Sequence, residues 1–296
     1  MILNTKNSEV IRKSQQGPEL SEAEFNGLRD WLYQHTGIHL SPIKKGMITG
    51  RLQKRLYKLK LANYSQYLKL LKDPEQSAEK QLALNLLTTN ETYFFREDKH
   101  FSFLQNFVRQ QRSKQNFQLW SAASSSGEEA YSIAMLLADT LGLQNNWQIL
   151  GTDINTEVLS TARRAVYPIA DTAKIPPAYL QQYCQKGVGK DHGWFRIGHE
   201  LRQRVSFEQA NLFKLPPNLP KFDVIFLRNV LIYFELEDKK IIVKNILRQL
   251  KPGGLLLVGH SESIHGYDEG LEQLQASCYR YQPKSLLSAS IETSTL

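Results

Sequence analysis

From about residue 97 onward, short apolar strands alternate with helical segments, and this alternation restricts the fold more than any other feature. The predicted strands are 117–122, 147–152, 205–209, 222–227 and 254–258, and the predicted helices between them are 128–141, 156–165 and 237–250. Such alternation is typical of a mostly parallel sheet covered by helices on both faces. The sequence therefore predicts an α/β domain, with 277–282 as an added edge strand.

The preceding segment, residues 20–88, has a helical pattern throughout. Ser21 followed three residues later by Glu24 is a capping box, which marks the start of a helix. Gly37 suits the end of that helix. Further helices are predicted from about 43 to 60, at 64–71 and at 74–87. These elements predict a small all-helical domain ahead of the α/β domain.

Domain boundaries follow from the changes in pattern along the chain. Glycines in 187–193, followed by the alternating stretch 194–197, indicate a hairpin-like insertion that interrupts the α/β rhythm. The polar, aperiodic ends read as loose tails. The predicted parts are a tail at 1–19, a helical domain at 20–88, a linker at 89–96, an α/β domain at 97–283 with an insert at about 184–206, and a tail at 284–296.

The composition is that of a soluble globular protein, with 41% hydrophobic and 22% charged residues. No run of eighteen apolar residues occurs and the first residues lack a signal-peptide pattern, so a cytoplasmic location is expected. Two cysteines cannot form a disulfide framework or a four-thiolate metal site. The seven histidines are scattered along the sequence, which disfavours a metal catalyst, so no metal is expected.

Positive charge is concentrated near the start of the sequence. The net charge is +8, and residues 1–90 contain 14 Lys or Arg against 8 Asp or Glu. This distribution favours an acidic partner, which composition alone leaves open as nucleic acid, an anionic membrane surface or an acidic protein. Residues 41–60 contain seven basic and no acidic side chains. On a helix, one stripe beside the apolar face contains Lys44, Arg51, Lys54, Arg55 and Lys58. A solvated face is the alternative interpretation.

Polar and small residues follow the first predicted strand of the α/β domain, where ligands of such folds bind. Residues 121–127 have tiny side chains, which let a ligand approach the backbone closely. The GxGxxG pattern is absent, and Glu128 and Glu129 stand at the start of the next helix. Two acids there would repel a pyrophosphate, which disfavours NAD. They would attract a cationic sulfonium that also carries an ammonium group.

The ends of the next strands supply further candidates. Asp153 can accept hydrogen bonds from both hydroxyls of a ribose, although it could also be the N-cap of the following helix. Asn211 and Leu212 offer an amide and an apolar wall for an adenine, or simply form a loop. Arg228 and Asn229 come directly after a buried strand, where the ligand crevice of an α/β sheet lies.

Five segments resemble the chemotaxis receptor methyltransferase (CheR) family, in the order that the family has. They are LTTNETYFFRE at 87–97, SAASSSGEEAYSIAM at 121–135, GTDINTEVLSTAR at 151–163, FDVIFLRNVLIYF at 222–234 and LKPGGLLLVGHSES at 250–263. The resemblance covers roughly residues 20–283. It implies a Rossmann-like class I S-adenosylmethionine-dependent methyltransferase domain with a small antiparallel β-subdomain, joined to an N-terminal all-helical domain.

The resemblance also implies an activity and roles for site residues. The family transfers the methyl group of S-adenosylmethionine to receptor glutamates, giving methyl esters and S-adenosylhomocysteine. The cofactor-binding residues implied are Asn90, Thr92 and Arg96 from the linker, Glu129 at the methionyl end, Asp153 at the ribose, Asn211 and Leu212 at the adenine, and Arg228 and Asn229 along the crevice. Arg96 would position the substrate carboxylate and Tyr233 would orient it, with core packing as the alternative for Tyr233. A glutamate is already ionised near neutral pH, so no general base is required.

Partners are implied in the same way. The basic helix would dock on the acidic methylation region in the cytoplasmic helical part of the receptors. The insert around 187–197 is similar to the family's β-subdomain, which in some members binds a tether peptide at the receptor C-terminus by strand addition. Neither nucleic acid nor membrane insertion is expected. The alternatives are a methyltransferase for RNA or a small molecule, and a non-catalytic scaffold that senses the cofactor.

Overall fold

In the computed structural model, residues 17–111 and 116–283 are described, and the chain forms two compact units that meet in sequence after Thr89. The boundary falls within the segment predicted as a linker. None of the helices in the described ranges is both long enough and apolar enough to span a bilayer.

The first unit is all-helical within its described part. Its elements are α1 (Glu22–Thr36), a 3-10 turn (Pro42–Lys44), α2 (Lys45–Lys58), α3 (Tyr64–Lys72) and α4 (Ser77–Leu87). The predicted capping box is confirmed, since Ser21 accepts from the backbone of Glu24 while the Glu24 carboxylate accepts from the Ser21 N–H. Gly37 ends α1 in the left-handed conformation, with φ of 75°. Local sequence signals therefore determine where α1 begins and ends.

The core of the helical unit is formed by the apolar faces of its helices. The α2 residues Ile48, Leu52 and Leu56 are fully buried, together with residues of α1 and the aromatic rings of α3. Their i, i+4, i+8 spacing places them on one side of α2, as the sequence predicts. The glycines and lysines of α2 consequently face away from this core.

A buried ion pair joins α2 to α4. The Nε of Arg55 donates to both carboxylate oxygens of Glu79, at 2.7 and 3.0 Å, and the hydroxyl of Tyr67 donates to Oε1 at 2.7 Å. Arg51 donates to the carbonyl oxygens of Leu86 and Thr88, at 3.1 and 2.7 Å. Two of the five residues in the predicted basic stripe, Arg51 and Arg55, therefore bond to groups within the helical domain.

We predict that Glu79→Gln destabilises the helical unit by about 3 kcal/mol, because the partly buried guanidinium of Arg55 loses its counter-charge. Hydrogen exchange of α2 amides, measured by mass spectrometry, reports the opening of this unit separately from the other. The matched control is Glu22→Gln, which removes the exposed ion pair with Lys45 and should change stability by at most about 0.5 kcal/mol. Equal effects of the two substitutions would contradict the prediction.

The second unit contains a seven-stranded sheet. Its strands are β1 (Phe117–Ala122), β2 (Trp147–Asp153), β6 (Val205–Gln209), β7 (Phe222–Leu227), β8 (Leu250–Val258), β9 (Leu271–Gln275) and β10 (Cys278–Tyr281). The strand order is β6-β2-β1-β7-β8-β10-β9. The first five strands are parallel, and β10 and β9 are antiparallel to their neighbours. The carboxyl ends of β1, β2 and β7 therefore meet at one edge of the sheet.

One helix precedes the first strand and the others lie between strands in sequence. They are α5 (Asp98–Gln110), α6 (Glu128–Leu141), α7 (Thr156–Arg164), α8 (Pro177–Tyr183), α9 (His199–Arg202) and α10 (Leu236–Leu247). The fully buried residues Leu119, Val224 and Phe226 on the central strands pack with α5, α6 and α7 in one core. This packing makes the strand ends a rigid platform for the loops that follow them.

One expectation about this sheet requires correction. The segment predicted as an edge strand, 277–282, forms β10, which lies between β8 and β9. The edge is β9, whose sequence LEQLQ has too little apolar character to be predicted as a strand. Helix α5 was also not predicted, although Phe101, Leu104 and Val108 are spaced as on one helix face.

A separate antiparallel sheet of three strands forms the predicted insertion. Its strands are β3 (Val166–Pro168), β4 (Cys184–Lys186) and β5 (Trp194–Ile197), in the order β3-β5-β4. The pairing of β4 with β5 confirms the hairpin expected around the glycine-containing loop. The sheet also includes β3, which precedes the expected start of the insert at 184.

Candidate active site

A tight turn follows β1 and carries the run of small residues. Ala123, Ser125 and Gly127 all have positive φ, at 71°, 49° and 98°. A Cβ on Gly127 would lie 2.9 Å from the Cβ of Ala162, so only glycine fits there. The N–H of Ser124 donates to the carbonyl of Thr152 at 2.7 Å and joins the turn to the end of β2.

Asp153, the last residue of β2, is 7% exposed and faces this turn. Its two oxygens accept from the backbone N–H of Ser125 and of Asn155, both at 2.9 Å. Burial raises the pKa of the carboxyl, and the N–H groups of Asn155 and Ser125 oppose this shift. The N-cap of α7 is Asn155, which accepts from Glu157 and Val158. Asp153 is therefore not the helix cap, and each of its oxygens has a further lone pair for a ligand.

The start of the second unit lies against the same strand ends. Ser125 donates to the backbone carbonyl of Asn90 at 2.9 Å, and the side chain of Asn155 donates to Oδ1 of Asn90 at 2.9 Å. Thr92 is half-buried two residues later. The structure thus brings Asn90 next to the groups that hold Asp153.

Glu129 at the start of α6 is tied to β1 and β7. Ser121 donates to Oε1 of Glu129 at 2.7 Å, and the guanidinium of Arg228 lies 3.3 Å from Oε2. Burial raises the pKa of Glu129, although the charge of Arg228 and the bond from Ser121 act in the opposite direction. The guanidinium carbon of Arg228 lies over the rings of Phe101 and Phe226, 5.8 and 5.6 Å from their centroids.

Glu97 holds the other side of Arg228 and was not assigned a role from the sequence. Its Oε2 lies 3.2 Å from Nη2 of Arg228, and its Oε1 accepts from the side chain of Asn229 at 3.1 Å and from the N–H of His260 at 3.2 Å. Burial would raise the pKa of Glu97. The bond with His100, the charge of Arg228 and the bonds from Asn229 and His260 outweigh burial, and the pKa lies well below its usual range.

Glu97, His100 and His260 also place potential metal-ligand atoms within 4.8 Å of one another, as a group in the described ranges. The carboxylate of this group already pairs with Arg228, whose positive charge opposes a bound cation. Glu97 therefore serves as the counter-charge of Arg228 in this arrangement.

Glu262 is a second buried carboxylate that sequence reasoning missed. It accepts from the backbone N–H groups of Asn229, Ile232 and Gly259, at 2.8, 3.3 and 2.7 Å. These bonds hold the loop after β7 against the loop after β8. Asn229 has a positive φ of 55° there, and a Cβ on Gly259 would lie 2.7 Å from its side chain. Placement of the loop after β7 depends on this carboxylate.

The remaining predicted residues lie in loops. Arg96 donates to the carbonyl of Glu91 at 2.9 Å and covers the ring of Tyr93 at 5.6 Å. Tyr233 is half-buried and closes a 3-10 turn (Leu231–Tyr233). A hydrogen bond from the N–H of Ile232 to the carboxylate of Glu262 holds this turn in place.

Asn211 and Leu212 follow β6. The N–H of the preceding Ala210 donates to the carbonyl of Asp153 at 3.0 Å, so this loop adjoins the end of β2. Asn211 bonds its own loop, accepting from the N–H of Phe213 at 2.9 Å, and Leu212 is buried.

The side chains at this edge fit S-adenosylmethionine. The half-buried carboxylate of Glu129 can receive an ammonium group, and the buried carboxylate of Asp153 can receive a pair of hydroxyls. The small-residue turn between them admits a ligand close to the backbone. An α/β sheet with such a crevice is compatible with an S-adenosylmethionine-dependent methyltransferase.

Two family models cover most of the chain. Residues 90–280 match the CheR methyltransferase SAM-binding domain, and residues 23–88 match the CheR methyltransferase all-alpha domain. The chain belongs to the CheR methyltransferase family. This confirms the predicted fold class and the cofactor.

Named relatives agree with the family models. The chain is 40% identical over 257 residues to the chemotaxis protein methyltransferase of Salmonella typhimurium, covering 86% of this chain and 88% of the relative. It is 42% identical over 247 residues to that of Escherichia coli, covering 83% and 86%. The chemotaxis protein methyltransferase 2 of Pseudomonas aeruginosa is 38% identical over 244 residues, covering 81% and 86%.

Asp153→Asn should weaken the binding of S-adenosylhomocysteine by about 10- to 100-fold, because charge-assisted hydrogen bonds to two hydroxyls are lost. Isothermal titration calorimetry measures this change. Asp223→Asn is the matched control: Asp223 is buried near the other end of β7, where it accepts from the N–H of Gln118 and pairs with Lys251. The control should lose stability and keep its affinity. Equal affinities of Asp153→Asn and the parent would remove the ribose role.

Affinity for S-adenosylhomocysteine should fall on acidification at pH values above the usual carboxyl range. The pKa values of Glu129 and Asp153 are raised by burial, so both carboxyls take up protons earlier than exposed ones as the pH falls. Ligand binding favours the ionised forms and is lost below their pKa, approaching about tenfold per pH unit for each coupled proton. Calorimetry across a pH series checks this, and Glu129→Gln should flatten the profile. A profile that is flat in the parent would contradict the prediction.

Proposed function

We propose that this chain transfers the methyl group of S-adenosylmethionine to glutamate side chains of chemotaxis receptors, forming methyl esters that serve adaptation. Membership of the CheR family and relatives named chemotaxis protein methyltransferase support methylation in chemotaxis. The observation that carries the glutamate assignment is the set of groups that the Arg96 guanidinium contacts. Among described residues its guanidinium forms no ion pair, bonding instead to a carbonyl and a ring. A cation of this kind suits an anionic acceptor.

The proposed acceptor fits the chemistry of the site. S-adenosylmethionine supplies an electrophilic methyl group on a sulfonium. A glutamate carboxylate, with a reference pKa of about 4.3, is ionised near neutral pH and is already a nucleophile. Its oxygen forms the new bond to the methyl carbon as the bond from that carbon to sulfur breaks, and no proton is transferred. The chain has only to position the carboxylate and exclude water.

Arg96 and Tyr233 are the proposed catalytic residues. Arg96 lies in the segment between the helical unit and α5, where it bonds to the carbonyl of Glu91 and covers the ring of Tyr93. It would attract the substrate carboxylate there. The hydroxyl of Tyr233 would donate a hydrogen bond that orients this carboxylate, and the bonds that Glu262 accepts hold the turn in which Tyr233 lies. Asn90, Thr92, Arg228 and Asn229 would line the cofactor, with Asn211 and Leu212 at the adenine.

The proposed partner is the acidic methylation region of the receptors' cytoplasmic helices, docked on the basic helix α2. Of the five residues expected there, Lys54 and Lys58 are exposed, Lys44 is half-buried, and Arg51 and Arg55 hold α2 to α4. The exposed lysines are therefore the better candidates for contact. A receptor tether peptide would add a strand at β3 or β4, the outer strands of the small sheet.

The experiment is transfer of tritiated methyl groups to receptor-enriched membranes, with the label tested for release by mild base. Base-labile label on receptor protein supports the proposal. Label in RNA or in a small molecule, or no transfer at all, would overturn it in favour of another acceptor or a cofactor-sensing scaffold.

Tyr233→Phe and Arg96→Ala should each lower the rate of receptor methylation by at least about tenfold while leaving most S-adenosylhomocysteine binding. The lost hydrogen bond of Tyr233 acts on the acceptor, and the lost charge of Arg96 acts mainly on the acceptor because the other residues implied at the cofactor remain. Initial rates with saturating cofactor measure the first effect, and calorimetry measures the second. An unchanged turnover in Tyr233→Phe would assign that side chain to core packing instead.

A further inference from the structure

The backbone around Arg96 is fixed on both sides. Phe95 and Glu97 have positive φ, at 53° and 59°, a conformation that residues other than glycine adopt at a cost. The N–H of Phe95 donates to the hydroxyl of Ser132 at 3.0 Å, and the carbonyl of Arg96 accepts from the guanidinium of Arg228. The main chain at Arg96 is therefore held, and the position of its guanidinium depends on what the side chain contacts.

Tyr93 provides one of these contacts. The centroid of its ring lies 5.6 Å from the guanidinium carbon of Arg96, whose other contact is the hydrogen bond to the carbonyl of Glu91. The two aromatic residues that follow have a different role, since Phe94 is fully buried and Phe95 packs against the core of the α/β unit. Tyr93 is 41% exposed and lies outside that core. Core packing therefore does not account for an aromatic ring at this position.

A second cation lies over the same ring. The Nζ of Lys174, at the end of the 3-10 helix Ile169–Lys174, is 5.6 Å from the Tyr93 centroid. Glu97 and Asp98 line the cleft beside this ring, but in the described ranges neither forms an ion pair with Lys174 or with Arg96. Two cations that share one ring and have no carboxylate partner there produce a positive potential at this surface.

We propose that Tyr93 is a positioning residue that holds the guanidinium of Arg96 for the acceptor carboxylate, and that Lys174 draws this carboxylate towards it. The inference rests on the proposed function and adds two residues to it. An aromatic face attracts a cation through its quadrupole and does not neutralise it, as a carboxylate would. Arg96 is therefore oriented and still able to pair with an anion. The charge of Lys174 raises the local concentration of anionic acceptors.

The discriminating variants at the ring are Tyr93→Phe and Tyr93→Leu, assayed with a purified cytoplasmic receptor fragment and saturating S-adenosylmethionine. Phenylalanine keeps the aromatic face, so kcat should stay within about twofold of the parent. Leucine keeps apolar bulk without the ring and should lower kcat about tenfold, because a small displacement of a group that aligns the reactants is costly. The thermal midpoints of both variants show whether they are folded.

A double-variant cycle tests whether Tyr93 acts through Arg96. In an Arg96→Ala background, Tyr93→Leu should cause no further loss of the residual rate, because the guanidinium that the ring positions is already absent. A general disturbance of the fold would lower the rate equally in both backgrounds.

Lys174→Gln should act on acceptor binding instead. The KM for the fragment should rise about threefold at low ionic strength and less at high salt, with kcat unchanged, because a screened attraction is lost. The matched controls are Lys244→Gln, which removes an exposed lysine of α10, and Tyr33→Leu, which removes a tyrosine of α1 that is also 41% exposed. Neither control should change kcat or KM.

The outcomes separate this inference from the proposed function. If the parent forms base-labile ester but Tyr93→Leu keeps its kcat, or lowers the rate equally with and without Arg96, the positioning role is wrong while the proposed function stands. If Lys174→Gln keeps the KM of the parent at low salt, the attraction of the acceptor by Lys174 is wrong. If the parent forms no base-labile ester, the proposed function itself fails.

Discussion

The buried guanidinium of Arg228 is the interaction on which the site depends. Its side chain is 1% exposed, directly after β7, and a charge so placed is tolerated only when it is paired. Glu129 pairs with it from α6 and Glu97 from the start of α5. The carboxylate that would receive the cofactor's ammonium group is thus held by a cation that has a second acid on its other side. This balance keeps a negative group at the crevice without an excess of buried charge.

Buried carboxylates also fix the positions of the loops that follow β7 and β8. Glu97 accepts from Asn229 and from the N–H of His260, and Glu262 accepts from three backbone N–H groups of the loops after β7 and β8. Both carboxylates therefore connect segments that are far apart in sequence. Removing either one would leave buried donors without acceptors, which is costly. Rigid placement of this kind suits the proposed transfer to a carboxylate, which requires alignment and no proton transfer.

The basic residues of helix α2 fall into two groups, those bonded within the domain and those exposed on its surface. Its positive charges look equivalent in the sequence. In the structure, however, Arg55 donates hydrogen bonds to Glu79, and Arg51 donates to the backbone carbonyls of Leu86 in α4 and of Thr88 directly after it. Arginine suits such fixed bonds because its planar fork binds two acceptors at once. Lysines on the outer face have flexible stems that can follow a partner. The two residue types therefore separate structural from surface charge.

The sequence by itself determined the elements whose signals are local. The capping box at Ser21, the glycine at the end of α1, the parallel strands β1, β2 and β7 and the small-residue turn depend on neighbours within a few residues. It also placed Asp153, Glu129 and Arg228 at strand or helix ends. The position of β10 inside the sheet, the N-cap role of Asn155 and the parts played by Glu97 and Glu262 were decided only by the tertiary structure. Each of these depends on partners that are distant along the chain or on competition between neighbouring side chains, and no local pattern encodes that.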